Sequence, residues 1–252
     1  MEVHTHHRHS ESNTWKTNLK EFLMLFLAVF CGTLAEYYLE HKVENDRAEK
    51  YMNSLVRDLK ADTAMMHSTI AFAGKINNGL DSVQTTLYNF NNNSENVKAV
   101  YQQNFTYLRW ILPDFTDKTA TQLRYSGNFR IINKGSVADS ISNYWIESGT
   151  ILRNANLFIE KSALAQESGN MIFNRQFVTY PDKTYIGLNI QQVEIDPKAK
   201  LMTTDKNTLI AYANRIGRMT DISKHYLVPL LKEQMEKATR LIKLIREEYH
   251  IE

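Results

Sequence analysis

Glycine and proline are scarce in this chain, 9 and 4 of 252 residues, where ordinary usage would supply roughly 30. That shortage speaks against sandwiches, barrels and dinucleotide-binding sheets, which spend these residues on turns and phosphate loops. Cysteine occurs once, at Cys31, so an intramolecular disulfide framework and a cysteine-rich zinc module are both excluded. An excess of one charge is missing too. With 30 Lys and Arg against 28 Asp and Glu, the chain lacks the basic field by which nucleic-acid binders hold phosphate. Proline is absent from Asn13 to Leu112. What is left is a chain of long helices, all-α in class.

The strongest positive feature is the uncharged run from Phe22 to Ala35. Fourteen residues are short for a hydrocarbon core of ~30 Å, and that length alone also suits a buried core helix or a signal peptide. The flanks favour a membrane span. Trp15 stands before the run and Tyr37 and Tyr38 after it, and about 22 residues of helix separate two such aromatic belts by ~33 Å. Phe22, Leu25, Phe26, Val29 and Phe30 supply the lipid-facing bulk between the belts. Lys16 and Lys20 can reach outward along their stems, and no Ala-x-Ala cleavage pattern follows. The expected organisation is therefore a polar tail over 1–13, an uncleaved signal anchor over 14–39, and a helical extramembrane domain over 40–252.

Beyond the span, Met52, Leu55, Leu59, Met66, Ile70, Ala73, Ile76, Leu80, Val83 and Leu87 recur mostly at gaps of three and four, one face of a helix. Asp58, Lys60, Asp62 and their charged neighbours are expected on the solvated face. The span should thus run on into a long amphipathic helix, with Asn77-Asn78-Gly79 as a break or kink. An asparagine-rich loop follows at 89–96, a helix over about 95–111 ended by Pro113, and a short helix over 117–125 closed by Ser126-Gly127. Ser136 with Asp139 reads as a capping box opening a helix to about Asn174. Tyr185–Ile195 alternates like a small hairpin, Thr204 should cap the last helical region, and Pro229 should kink or break it.

Several residue groups invite a chemical reading. His4, His6, His7 and His9 could chelate a transition metal, although a polar tail supplies no fixed geometry. Glu21 and Glu36 border the span, where a carboxylate is expensive unless it serves or reaches the headgroups; together with Thr33 they could line a seam between copies of the helix. Asp58 and Asp62 share a helix face, but no Glu-x-x-His partner accompanies them, so a di-iron bundle is rejected. Arg124, Ser126, Asn128, Arg130, Asn133 and Lys134 stand among aromatics and suit either an anion site or a pinned turn. Phosphate loops, nucleophile elbows and zinc-protease helices are lacking, so the chain reads as a non-enzyme without cofactor.

The block Lys20-Glu-Phe-Leu-Met-Leu-Phe-Leu-Ala-Val-Phe-Cys-Gly32, with Leu34-Ala-Glu36, Glu40-His41 and Arg47-x-x-x-Tyr51-Met-x-Ser-Leu-Val-x-Asp-Leu-Lys-x-Asp62, resembles uncharacterised single-span bacterial membrane proteins of Bacteroidota type, a domain of unknown function. Gln122-Leu-Arg-Tyr-Ser-Gly-Asn-Phe-Arg-Ile-Ile132 and Ala238-Thr-Arg-Leu-Ile-Lys-Leu-Ile245 are similar to later parts of that family. The resemblance covers about half the chain. It implies an inner-membrane anchor and a helical domain outside the cytoplasm, and it brings no catalytic residues with it.

Orientation draws on two opposed signals. Lys42, Arg47, Lys50, Arg57 and Lys60 after the span outnumber Arg8, Lys16 and Lys20 before it. Large domains translocate with little regard to charge, however, and a short N-terminal tail commonly stays inside. The expectation is a single-pass protein of the bacterial inner membrane, N-terminus cytoplasmic and C-terminal domain periplasmic. Its expected partners are lipid and either another protein or further copies of itself, and not nucleic acid. A membrane-anchored interaction or scaffold module is the leading reading; a ligand-sensing bundle and an oligomeric ion- or proton-conducting span are the alternatives.

Overall fold

The computed structural model describes residues 14–180, 190 and 192–251. The fold is all-α, with a long N-terminal helix and one small sheet among these residues. Helix α1 runs from Thr14 to Tyr88, α2 from Ser94 to Tyr107, α3 from Lys118 to Tyr125, α4 from Gly135 to Gly169, α5 from Lys206 to Ile222 and α6 from Val228 to Tyr249. By compactness the chain divides into Met1–Lys50 and Tyr51–Glu252, so α1 contributes to both units.

In the second unit the apolar register of α1 is the spine of the core. Met52, Leu55, Leu59, Met66, Ala73, Ile76, Leu80, Val83 and Leu87 are all buried, and Ile70 packs at the margin. Around them lie Tyr101 of α2, Ile141 and Phe158 of α4, Tyr212 and Ile216 of α5, and Leu231 and Ile245 of α6. Helix α4 packs against both α5 and α6. The Lys224 ammonium bonds both carboxylate oxygens of Asp81 on α1 at 2.8 and 2.6 Å, and the Tyr88 hydroxyl donates to Asn214 Oδ1 at 2.6 Å.

Several boundaries differ from those expected. Asn77-Asn78-Gly79 does not break α1, which continues to Tyr88. Gly79 instead faces the Tyr107 ring so closely that a Cβ would overlap its Cγ; the glycine serves close approach of α2, not a turn. Helix α2 stops at Tyr107, ahead of Pro113: Leu108 leaves the helical region with a ψ of 78°, and from Ile111 to Asp114 burial alternates with the two-residue period of extended chain. Ser136 opens no capping box. Helix α4 starts one residue before it, and Lys134 in the N-cap position makes no side-chain cap bond. That helix also stops at Gly169, short of Asn174. Asp205, not Thr204, caps α5, accepting from the Thr208 amide at 2.8 Å. Its carboxyl is held below the usual range by that bond and a second from the Thr208 hydroxyl.

Pro229 leaves the helical path intact. A π-helical turn at Ser223–Leu227 joins α5 to α6, the Val228 N–H bonding the Ser223 carbonyl, and this widened turn just before Pro229 accommodates a ring and a missing N–H that a regular helix interior would not. Gly127 closes α3 as expected, with φ of +67°. Strands β1 (Val178–Thr179) and β2 (Glu194–Ile195) pair antiparallel, Val178 opposite Ile195, and Phe173 bridges Leu201. Much of the alternating run, 185–189 and 191, lies outside the described residues.

Two glycines of α1 make opposite predictions. Gly74 has no atom within 4 Å of an added Cβ, so Gly74→Ala should gain about 1 kcal/mol from helix propensity. Gly79→Ala has the same gain available but must displace the Tyr107 ring at its root, and overpacking of this kind costs about 1–3 kcal/mol. Denaturant melts of the two variants should move in opposite directions from wild type.

Candidate functional site

Along the N-terminal part of α1 the apolar side chains face away from any packing. Trp15, Phe22, Leu25, Phe26, Val29, Phe30, Tyr37 and Tyr38 are all exposed, from 47% for Phe30 to 74% for Tyr38. A helix of this length and apolarity, with none of its apolar window buried, can cross a bilayer. Phe22, Phe26 and Phe30 stack at successive ring distances of 6.3 and 5.8 Å, forming one ridge at i, i+4. The Thr33 hydroxyl donates back to the Phe30 carbonyl at 2.9 Å, so its polar group is satisfied within the helix itself. Glu21 and Glu36 are exposed at the two ends of the run, and Cys31 is exposed within it. His4, His6, His7 and His9 lie outside the described residues.

A second constellation sits in the 51–252 unit, on the pair Asp58 and Asp62. Asp62 does not belong to the solvated face: it is only 1% exposed. Its Oδ1 accepts from the Thr116 amide at 2.7 Å and its Oδ2 from the Tyr144 hydroxyl at 2.7 Å. One turn earlier, Asp58 Oδ2 accepts from the Thr119 amide at 3.0 Å. Asp117 makes no cap bond for α3; the carboxylate of Asp58 performs that duty from α1, satisfying an orphan first-turn N–H. Behind Tyr144, the Gln234 carboxamide of α6 donates to the Tyr144 carbonyl at 2.8 Å and to Ser148 Oγ at 2.9 Å. A buried chain of hydrogen bonds therefore links α1, the segment leading into α3, α4 and α6.

Burial raises the Asp62 carboxyl above its ordinary value of 3.8, and its bonds to Thr116 and Tyr144 only partly oppose this. The Tyr144 hydroxyl is pushed far up, first by burial and then by the Asp62 charge beside it. This arrangement positions elements; it presents no nucleophile or base to a substrate. The clue lay in the spacing. The apolar register of α1 jumps from Leu59 to Met66, and position 62 is where the missing inward residue belongs.

The basic and aromatic segment near α3 is likewise pinned. The Arg124 guanidinium lies 4.4 Å from the Trp145 ring centre, Asn128 Nδ2 donates to the Tyr51 hydroxyl at 2.8 Å, and Lys134 pairs with Glu248 at 3.5 Å. Ser126 donates to the Gln122 carbonyl. These contacts fix the turn between α3 and α4, which disfavours the anion-site reading for Arg124, Asn128 and Lys134.

No protein-family model, curated protein or solved structure matches this chain. The geometry of its own residues is what speaks to function.

Proposed function

We propose that this protein is a membrane-anchored helical interaction module, an accessory subunit of an envelope complex, held by a single span within Trp15–Tyr38 and belonging to the uncharacterised single-span family its N-terminal block resembles. The observation that carries the reading is the contrast between the two parts of one helix. From Met52 to Leu87 the large apolar side chains at helical spacing are buried in a core. From Phe22 to Leu34 they are exposed around the helix. Apolar surface on that scale finds cover in lipid or in a partner, and the aromatic and lysine flanks match the two interfaces of a bilayer. In this reading the anchor lies in the bacterial inner membrane with the helical part on the periplasmic side, and that part exists to hold a partner or further copies of the chain.

Two measurements on native membranes test it. After an alkaline carbonate wash the chain should stay in the pellet, and crosslinking before gentle detergent extraction should yield a stoichiometric complex. Release into the supernatant would remove the anchor. A lone monomer after crosslinking would remove the interaction role.

A further inference from the structure

The segment between α2 and α3 is extended chain and lies wholly within the 51–252 unit. Ile111 and Pro113 are buried, whereas Trp110, Leu112 and Asp114 are exposed, the two apolar ones at 60% and 51%. The inward pair seats the segment on the core. Its far end is fixed by the bond from the Thr116 amide to Asp62 Oδ1 at 2.7 Å.

The backbone of this segment is unpaired. Among the described residues, no N–H or carbonyl of residues 110–115 takes part in a hydrogen bond. In extended chain the peptide groups alternate between two edges with the same period as the side chains. Those of Trp110, Leu112 and Asp114 therefore share one edge, and those of Ile111, Pro113 and Phe115 share the other. Pro113 deprives the second edge of a donor, while the first keeps all three. An extended edge with unused donors and acceptors is a template for another strand.

Charge narrows the kind of strand. Residues 110–117 carry two carboxylates, Asp114 and Asp117, and no cation. Both are exposed, and neither forms an ion pair among the described residues. A complementary strand places apolar side chains across from Trp110 and Leu112 and a cation near Asp114.

We propose that the edge over 110–114 docks an extended, basic segment of a partner protein by strand addition. Backbone bonds to Trp110, Leu112 and Asp114 supply the grip, and a lysine or arginine of the partner meets Asp114. The proposal rests on the reading of this chain as an interaction module and names the surface involved. A second copy is the poorer occupant, because antiparallel self-pairing about Leu112 sets Asp114 opposite Trp110 and brings it no cation.

The test uses the full chain in phosphatidylcholine nanodiscs and calorimetric titration with the capped peptide Lys-Thr-Val-Thr-Phe-Thr-Lys. It should bind saturably, one per chain. Leu112→Pro should weaken it at least about tenfold by removing the central N–H, and Trp110→Ser should do so by removing the outward ring. Both positions are exposed, so both variants should melt like wild type. Replacing the two lysines of the peptide by glutamates should weaken binding, and Asp114→Lys should restore it. Backbone N-methylation should act by parity: methylating either Val and Phe or the three Thr abolishes binding, and the other pattern spares it. Absence of saturable binding overturns the proposal, as does equal response to the two methylation patterns. Binding that survives both substitutions also overturns it, because the peptide then sits on lipid or elsewhere on the protein. A crosslinked homodimer lost in Leu112→Pro, with no peptide bound, assigns the edge to a second copy instead. A native complex that persists in both variants keeps the interaction role and removes this surface from it.

Discussion

Asp62→Ala should destabilise the 51–252 unit by about 3 kcal/mol or more, the largest single-site loss expected in its polar interior. Two donors lose their acceptor at once, the Thr116 amide and the Tyr144 hydroxyl. A buried donor left unpaired costs roughly 1–3 kcal/mol, and the small cavity adds to that. Asp62→Asn should be far milder, because its carbonyl can face Thr116 while the Tyr144 hydroxyl turns to accept from the new amide. Denaturant melts of the two variants separate these effects. If alanine and asparagine prove equally mild, the network does not hold the segment before α3 as described.

The same pair yields a pH signature. The folded-state carboxyl of Asp62 is raised above 3.8, chiefly by burial. Between the unfolded and folded values the native state therefore binds more protons than the unfolded chain, and its stability rises as pH falls. The stability tied to this proton is fully present below 3.8 and is lost as pH climbs through the raised value. Relative to Asp62→Asn, which has no such proton, wild type should gain stability on acidification from neutrality toward pH 4. A difference profile that is flat, or slopes the other way, would show that Asp62 is not desolvated.

What the sequence revealed and what it concealed divide along one line. Features written in local spacing were legible. The inward face from Met52 to Leu87 follows from gaps of three and four, and the stop at Gly127 follows from a residue that accepts positive φ. Features decided by distant partners were not. Gly79 looks like a helix breaker until the Tyr107 ring is placed against it. Asp62 looks like surface charge until Thr116 and Tyr144 converge on it, and only the skipped register between Leu59 and Met66 hints otherwise. Asp58 acts as a cap for a helix some sixty positions later, a bond that no N-cap pattern records. The bond from the Tyr212 hydroxyl of α5 to Asn104 Oδ1 of α2 is of the same kind. Asn104 and Tyr212 stand 108 residues apart in sequence, and nothing in either neighbourhood announces the other.

The anchor makes the second large prediction. Leu25 and Val29 are one turn apart on α1, and their side chains are exposed at 69% and 67%. Replacing both by arginine removes no core packing, so the melting of the 51–252 unit should not change. Lipid insertion is another matter. An arginine near the centre of a spanning helix raises the insertion free energy by about 2.5–3.5 kcal/mol, and two together by ~6 kcal/mol, roughly a ten-thousandfold shift in the partition. Neither charge can escape easily, since both positions fall in the middle of the Phe22–Ala35 run and outward reach serves residues near the ends. The double variant should therefore leave carbonate-washed vesicles for the supernatant while wild type stays with the lipid. Liposomes holding no other protein distinguish the two possible covers of this surface. Wild type retained by pure lipid, with the double arginine variant released, assigns the helix to the bilayer. Wild type that fails to join pure liposomes assigns the same greasy ridge, with its stacked Phe22, Phe26 and Phe30, to a protein partner instead.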